Sequence, residues 1–195
     1  MTTKERILEE ALTLFSENGY NGTGVDLIAE RAGIKGPSLY KHFKGKEDIL
    51  NSLIDAAEER YEEMFGSEKN IGKIPECREE FVQTTLGRIS FTMRDPMIRK
   101  IRKLLIQEQF RSERLAEVTT RHQQDGVQSM FAKILEGMME KGLMVKDDPA
   151  LLAIELTAPA VLMIAQADRQ PQLEEVIMKR IERHIRHFCD VYMRV

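Results

Sequence analysis

The chain has 195 residues, of which 42% are hydrophobic, enough to bury a core in one or two domains. A formal net charge of −3 excludes a globally basic nucleic-acid coat, so any contact with DNA must come from a local patch. Only two cysteines, Cys77 and Cys189, and an N-terminus (MTTKERILEE) without an apolar signal core exclude a disulfide-built secreted domain.

Helical periodicity governs the chain from its start. Thr2 followed by Glu5 has the spacing of a capping box, Ile7, Leu8, Ala11, Leu14 and Phe15 form one apolar stripe, and Gly19 is placed to end that helix. Thr23 is expected to cap a second helix, with Asp26 in its first turn. The stretch from Thr23 to Lys46, TGVDLIAERAGIKGPSLYKHFKGK, then reads as a helix-turn-helix. Two short helices that cross steeply need a small side chain at closest approach, which Ala29 supplies. The turn between them needs a residue tolerant of φ > 0, which Gly33 supplies. The second helix is expected from Gly36 or Pro37 to Phe43, with the proline near the first helical position, where its missing N–H costs nothing. Arg31, Lys35, Lys41, Lys44 and Lys46 fall between Glu30 and Glu47 with no acidic residue among them, a local basic patch of the kind phosphates require.

On a helix turning 100° per residue, Leu39 and Phe43 define the buried face. The opposite face centres on Pro37 and Lys41, flanked by Ser38, Tyr40 and His42. Lys41 is expected at a guanine edge or a phosphate, and the Pro37 ring at a thymine methyl. Tyr40, Thr23 and Lys46 suit phosphates better, and Lys35 and Gly36 complete the candidate DNA-binding set. His42 has packing within the small domain as its alternative.

A fourth helix of about twenty residues begins near Lys46 and carries Ile49, Leu50, Leu53, Ile54, Ala57, Tyr61 and Phe65. Residues 66–75 (GSEKNIGKIP) are the clearest loop. Helical segments follow at about 76–93, 96–109, 113–141, 149–167 and 172–194. Asp95-Pro96 and Asp148-Pro149 open two of them, Gly142 closes the third, and Gly126 and Gly137 weaken it internally. The expected fold is all-α: about nine helices and no sheet, with a helix-turn-helix domain at 1–46 and a larger domain at 47–195. The most apolar run, Leu156 to Ala165, is interrupted by Thr157 and Pro159 and is shorter than the roughly 20 residues of a membrane span, so a soluble cytoplasmic protein with no membrane partner is expected.

Tyr40-Lys41-His42-Phe43 followed by Lys46, with Ile28-Ala29 and Ala32-Gly33-Ile34 before it, resembles the DNA-binding domain of the tetracycline-repressor (TetR) family over about residues 5–52. The remainder resembles the family only in its helical length and order. The resemblance implies a cytoplasmic bacterial homodimer bound to a palindromic double-stranded operator, a larger domain with a small-molecule pocket, and dimerisation through the last two helices. Repression released by a ligand is the implied default. Many members have Lys-Gly where this chain has Gly36-Pro37, so no relative's operator sequence carries over.

Within that frame, Phe81, Phe91, Met93, Leu105, Phe110, Met130, Phe131, Ile134 and Met163 are candidate lining for an apolar or aromatic effector, with Glu108, Gln109, His122 and Gln166 as candidate polar contacts. Leu152 and Leu156, on a segment apolar nearly all round, and Ile177, Ile181, Ile185, Phe188 and Tyr192, on an amphipathic one, are the candidate dimer interface. The alternative is a DNA-binding regulator whose C-terminal domain only dimerises or answers to a protein partner. His184, His187 and Cys189 lack a further ligand for a metal site, and no catalytic motif, metal or cofactor is expected.

Overall fold

The computed structural model describes residues 1–66, 71–111 and 113–194; residues 67–70 of the expected loop lie outside them. Among the described residues there are ten α-helices and no strand, only an isolated antiparallel bridge between Met144 and Met193. The residues cluster into two compact units, one of 1–63 with 96–119 and one of 64–95 with 120–195.

The first unit starts with α1 (Thr3–Asn18). The Thr2 hydroxyl accepts from the Glu5 N–H at 3.2 Å while the Glu5 carboxylate accepts from the Thr2 N–H at 2.8 Å, closing the expected capping box. Gly19 ends the helix. Then come α2 (Val25–Arg31), α3 (Gly36–Leu39), the greater part of α4 (Lys46–Phe65), α6 (Pro96–Glu108) and α7 (Glu113–Thr120). Ile7, Ala11 and Phe15 of α1, Ile28 and Ala29 of α2, Leu39, Ile49 and Leu53 are all buried, together with Ile98, Ile101, Leu104 and Leu105 of α6, which lies along α1.

The second unit holds α5 (Arg78–Arg94), α8 (Gly126–Glu140), α9 (Pro149–Arg169) and α10 (Glu174–Tyr192). The expected segment at 113–141 is broken by a π-helical turn at Arg121–Asp125, which makes ten helices rather than nine. Gly137 has a separate role: a Cβ there would lie 3.0 Å from the Ile74 side chain, so glycine lets the chain ahead of α5 press onto α8. Asp148 caps α9 as expected, its carboxylate accepting from the N–H groups of Ala150 and Leu151. At 21 residues α9 runs through Pro159 and, against the expectation from its most apolar run, is long and apolar enough to cross a membrane. It lies against α8 and α10, and Leu152, Ala153, Leu156, Ala160 and Ile164 are buried there.

That packing corrects the expected dimer interface. Leu152, Leu156, Ile177, Ile181, Ile185 and Phe188 belong to the unit's own core, the three isoleucines fully buried. Tyr192 is half-buried against the same core, and its hydroxyl donates to Glu155. An amphipathic helix beside an apolar one must first cover its own unit, and these faces do so. Ile181→Ala is expected to cost about 2–5 kcal/mol of unfolding free energy, read by chemical denaturation.

Candidate functional site

The turn that orients the second helix of the motif forms as its residues dictate. Gly33 has φ +68°, its N–H donates to the Glu30 carbonyl, and the Ile34 N–H reaches back to Ala29. Ala29 is 1% exposed where α2 meets α3. A Cβ on Gly36 would lie 3.1 Å from the Asp26 carboxylate, so Gly36 leaves room for α2 beside the start of α3.

α3 is shorter than expected, ending at Leu39; the chain continues to Phe43 in tighter turns, with the His42 and Phe43 N–H groups both donating to the Leu39 carbonyl. Leu39 and Phe43 are buried, as the helical face requires. Lys35, Pro37, Tyr40, Lys41 and His42 are exposed, and Gly36 and Ser38 half so. His42 is exposed, so its ring is not packed inside the small domain. Tyr40, just past the end of α3, keeps 58% of its surface, a large exposure for an aromatic side chain.

Two residues of the candidate set are corrected. Thr23 is fully buried, and its hydroxyl donates to the carbonyls of Leu14 and Gly19; Gly24, without a side-chain bond, stands at the start of α2 instead. The Lys46 ammonium donates to the carbonyls of Tyr20 and Thr23 at 2.7 and 2.9 Å and lies 4.3 Å from the Tyr20 ring centre. Neither side chain is free for a phosphate; both fix the connection between α1 and α2.

Glu108, a candidate polar contact for an effector, serves this same connection. Its carboxylate is 3% exposed, accepts from the Tyr20 N–H at 3.2 Å and pairs with Arg111. Leu105 is likewise buried in the first unit, whereas Phe81, Met93, Phe131 and Ile134 lie in the core of the second, so the candidate lining is not one group. Phe110 is 92% exposed and lines no interior. Phe91 stands edge-on to Phe65, and Met130 and Met163 are half-buried against the second unit's core. That core is closely filled. A cleft of only about 20 Å³ opens in it, beside Lys73, Pro75, Phe81, Thr84, Thr85, Arg88, Phe131 and Ile134. Arg88 and Lys73 were not among the sequence candidates. The spacing Phe81, Thr84, Thr85, Arg88 puts one cation among uncharged residues on a single helical face, a signal that was available.

Among the described residues no cluster of three or more His, Cys, Asp or Glu is arranged to hold a metal. His184 Nε2 lies 3.0 Å from the Leu156 carbonyl. Burial pushes the Cys189 thiol up to about 11, which keeps it protonated at neutral pH.

The geometry has counterparts among known proteins. Residues 7–53 match the family model described as bacterial regulatory proteins, tetR family. The chain is 52% identical over 51 residues to the biofilm operon icaADBC HTH-type negative transcriptional regulator IcaR of Staphylococcus aureus, covering 26% of this chain and 27% of that protein. IcaR of Staphylococcus epidermidis is 44% identical over 52 residues, 27% of this chain and 28% of the relative. The chain thus matches about a quarter of the length of these curated relatives. Across the whole chain the similarity is one of fold. SmeT, the repressor of the Stenotrophomonas maltophilia multidrug efflux pump SmeDEF, superposes with a TM-score of 0.74 at 19% identity over 100% of this chain and 92% of that one. A SmeT–triclosan complex gives 0.74 at 22% identity, over 100% and 93%.

Glu108→Ala is expected to destabilise the protein by about 1–3 kcal/mol, because it strands the Tyr20 N–H. Glu108→Gln should recover most of that in the same thermal melt, since an amide oxygen still accepts. Equal losses in the two variants would assign the effect to the Arg111 pair instead.

Proposed function

We propose that the chain is a tetR-family protein, as the match of its N-terminal domain and its fold suggest, and a ligand-responsive repressor that leaves a palindromic operator when a small apolar effector binds. The observation that carries this reading is the exposed set Lys35, Pro37, Tyr40, Lys41 and His42, with Ser38 half-exposed beside them, held outward by the buried pair Leu39 and Phe43 in the second helix of a helix-turn-helix and the turns that follow it. Such a face suits the major groove: lysines for phosphates and guanine edges, a proline ring for a thymine methyl, and a tyrosine hydroxyl for the backbone. The match of residues 7–53 supports the same reading, and an IcaR relative that is a negative regulator favours repression over activation. The role is one of binding rather than catalysis, exercised in the bacterial cytoplasm, where operator DNA is.

A second copy of the chain is the partner that the outer face of α9 suits. Leu151, Ile154, Ala158 and Leu162 are exposed at helical spacing, the three larger side chains keeping 50%, 44% and 68% of their surface, and Val176 and Val191 of α10 are exposed as well. An apolar stripe of this kind is costly in water and suits a helix bundle shared by two subunits. The dimer would set two recognition helices about 34–36 Å apart, one turn of DNA.

The effector belongs to the second unit on this reading, as triclosan does to SmeT as a whole. α4 begins beside the helix-turn-helix at Lys46 and reaches Phe65, the length over which an effector's influence would travel. The filled interior favours one other reading, in which the second unit only dimerises or answers to a protein.

Selection of bound DNA from a random pool should return a palindrome with half-sites about one turn apart. Against that DNA, Lys41→Ala is expected to weaken binding at least about tenfold and lower the salt dependence by about one ion, with an unchanged melting temperature. Full affinity in Lys41→Ala would remove α3 from the groove. Leu162→Glu should yield monomers by sedimentation and a comparable loss of operator affinity, and an intact dimer would move the interface off α9.

A further inference from the structure

The cleft between α5 and α8 has one chemically unusual wall. Arg88 of α5 is half-buried, and burial lowers its affinity for its proton, though a guanidinium stays charged. Its contacts are weak ones. One terminal nitrogen is 3.4 Å from the Phe65 carbonyl and 3.0 Å from the Met130 sulfur; the other is 3.5 Å from the Ile71 carbonyl. The planar group also lies 4.8 Å from the Phe65 ring centre. Among the described residues no carboxylate faces it. The nearby Lys73 is already matched, at 3.4 Å from Glu76 and 3.3 Å from Glu80. A partly desolvated guanidinium with five donors, two long carbonyl contacts and a thioether is an unfilled anion site.

Its surroundings define what anion. Beyond Arg88 the cleft is lined by the apolar Phe81, Phe131, Ile134 and Pro75, with Thr84, Thr85 and Lys73 as its other polar groups. Met130, which holds one guanidinium nitrogen through its sulfur, is an unbranched side chain that can change rotamer at little cost. Ile74, between the lining residues Lys73 and Pro75, is pressed onto α8 at Gly137. As it stands, about 20 Å³ admits nothing larger than a water molecule. Moving Met130 and lifting the stretch from 71 to 75 would join the cation to an apolar slot.

We infer that this cleft is the effector site of the second unit, and that its ligand class is an amphipathic carboxylate: an alkyl or aryl body between Phe81, Phe131 and Ile134, and a carboxylate paired with Arg88. The inference rests on the ligand-responsive reading above and gives it a mechanism. A bidentate carboxylate draws Arg88 away from the Phe65 carbonyl and ring, and Phe65 is the last residue of α4. Binding therefore releases the end of the helix whose first residue, Lys46, holds the α1–α2 connection.

The test uses the full chain with its selected operator fragment and two matched pairs of probes: decanoate with decanol, and 4-phenylbutyrate with 4-phenylbutanol. Thermal stabilisation reads binding, and fluorescence anisotropy of labelled DNA reads release. The expected result is that each carboxylate binds about tenfold or more tightly than its alcohol and releases DNA. In Arg88→Gln the ratio falls to about one, while Arg88→Lys keeps part of it. The ratio is what distinguishes a ligand contact from a structural one, because a merely loosened fold weakens acid and alcohol alike. Alcohols that match the carboxylates in the unaltered protein overturn the anion assignment and leave an effector domain standing. Failure of all four probes to bind overturns the inference itself, while ligand-free operator binding in the same titration reports separately on DNA reading.

Discussion

The first unit depends on keeping the part-buried backbone of the short connection between α1 and α2 paired, around the one fully buried residue there, Thr23. The Gly19 N–H is held by Phe15, the Tyr20 N–H by Glu108, the Tyr20 and Thr23 carbonyls by Lys46, and the Leu14 and Gly19 carbonyls by the Thr23 hydroxyl. A buried amide group without a partner costs more than its bond contributes when made, so these side chains are constraints rather than ornaments. They come from the start of α4 and the end of α6, far apart in sequence. The consequence is mechanical: α2 and α3 hang from a connection gripped by two other helices, and neither α4 nor α6 can shift without straining it. An allosteric signal needs such a coupling, because a ligand moves an equilibrium only through contacts that differ between two states.

The helix-turn-helix was legible in the sequence because its determinants are local. Ala29, Gly33, Leu39 and Phe43 act over one or two turns, and each is found in the role its chemistry suggests. The caps at Thr2 and Asp148 were legible for the same reason. Thr23 and Lys46 were misread as DNA contacts since their true partners, carbonyls 4 to 26 residues away in and beside the α1–α2 connection, leave no periodic mark. Their residue types are as suitable for phosphates as for carbonyls, and only the fold decides between them.

In the second unit, hydrophobicity identified the helices but not their faces. Apolar residues at helical spacing on α10 were assigned to a partner subunit, yet Ile177, Ile181 and Ile185 are fully buried in their own. An amphipathic stripe records only that a face is covered; it does not record by which chain. The informative residues on α9 were the apolar ones left over after the core was filled, Leu151, Ile154 and Leu162, and they become visible once its neighbours α8 and α10 are known. The effector candidates were divided between the two units for a similar reason. Leu105 and Phe110 share a sequence neighbourhood with residues of the same chemistry but have opposite burial, and neither belongs to the unit that holds Phe81 and Phe131.

A closed interior and a ligand-responsive role are compatible, and together they constrain the energetics. If the open form of the Arg88 cleft is a minor state, an effector's apparent affinity falls by the fraction of molecules that are open. Rigid, well-filled cores hold that fraction low, and the interaction with Arg88 must then supply the difference. A guanidinium whose present contacts are long carbonyl bonds and a thioether has more to gain from a carboxylate than one already paired with an acid. On that proposal, ligand-free protein would be kept closed by packing and open forms would be selected by charge. The same weak contacts tie Arg88 to the last residue of α4, so on the proposed reading the group that gains most from a ligand is also the one that would release the end of that helix.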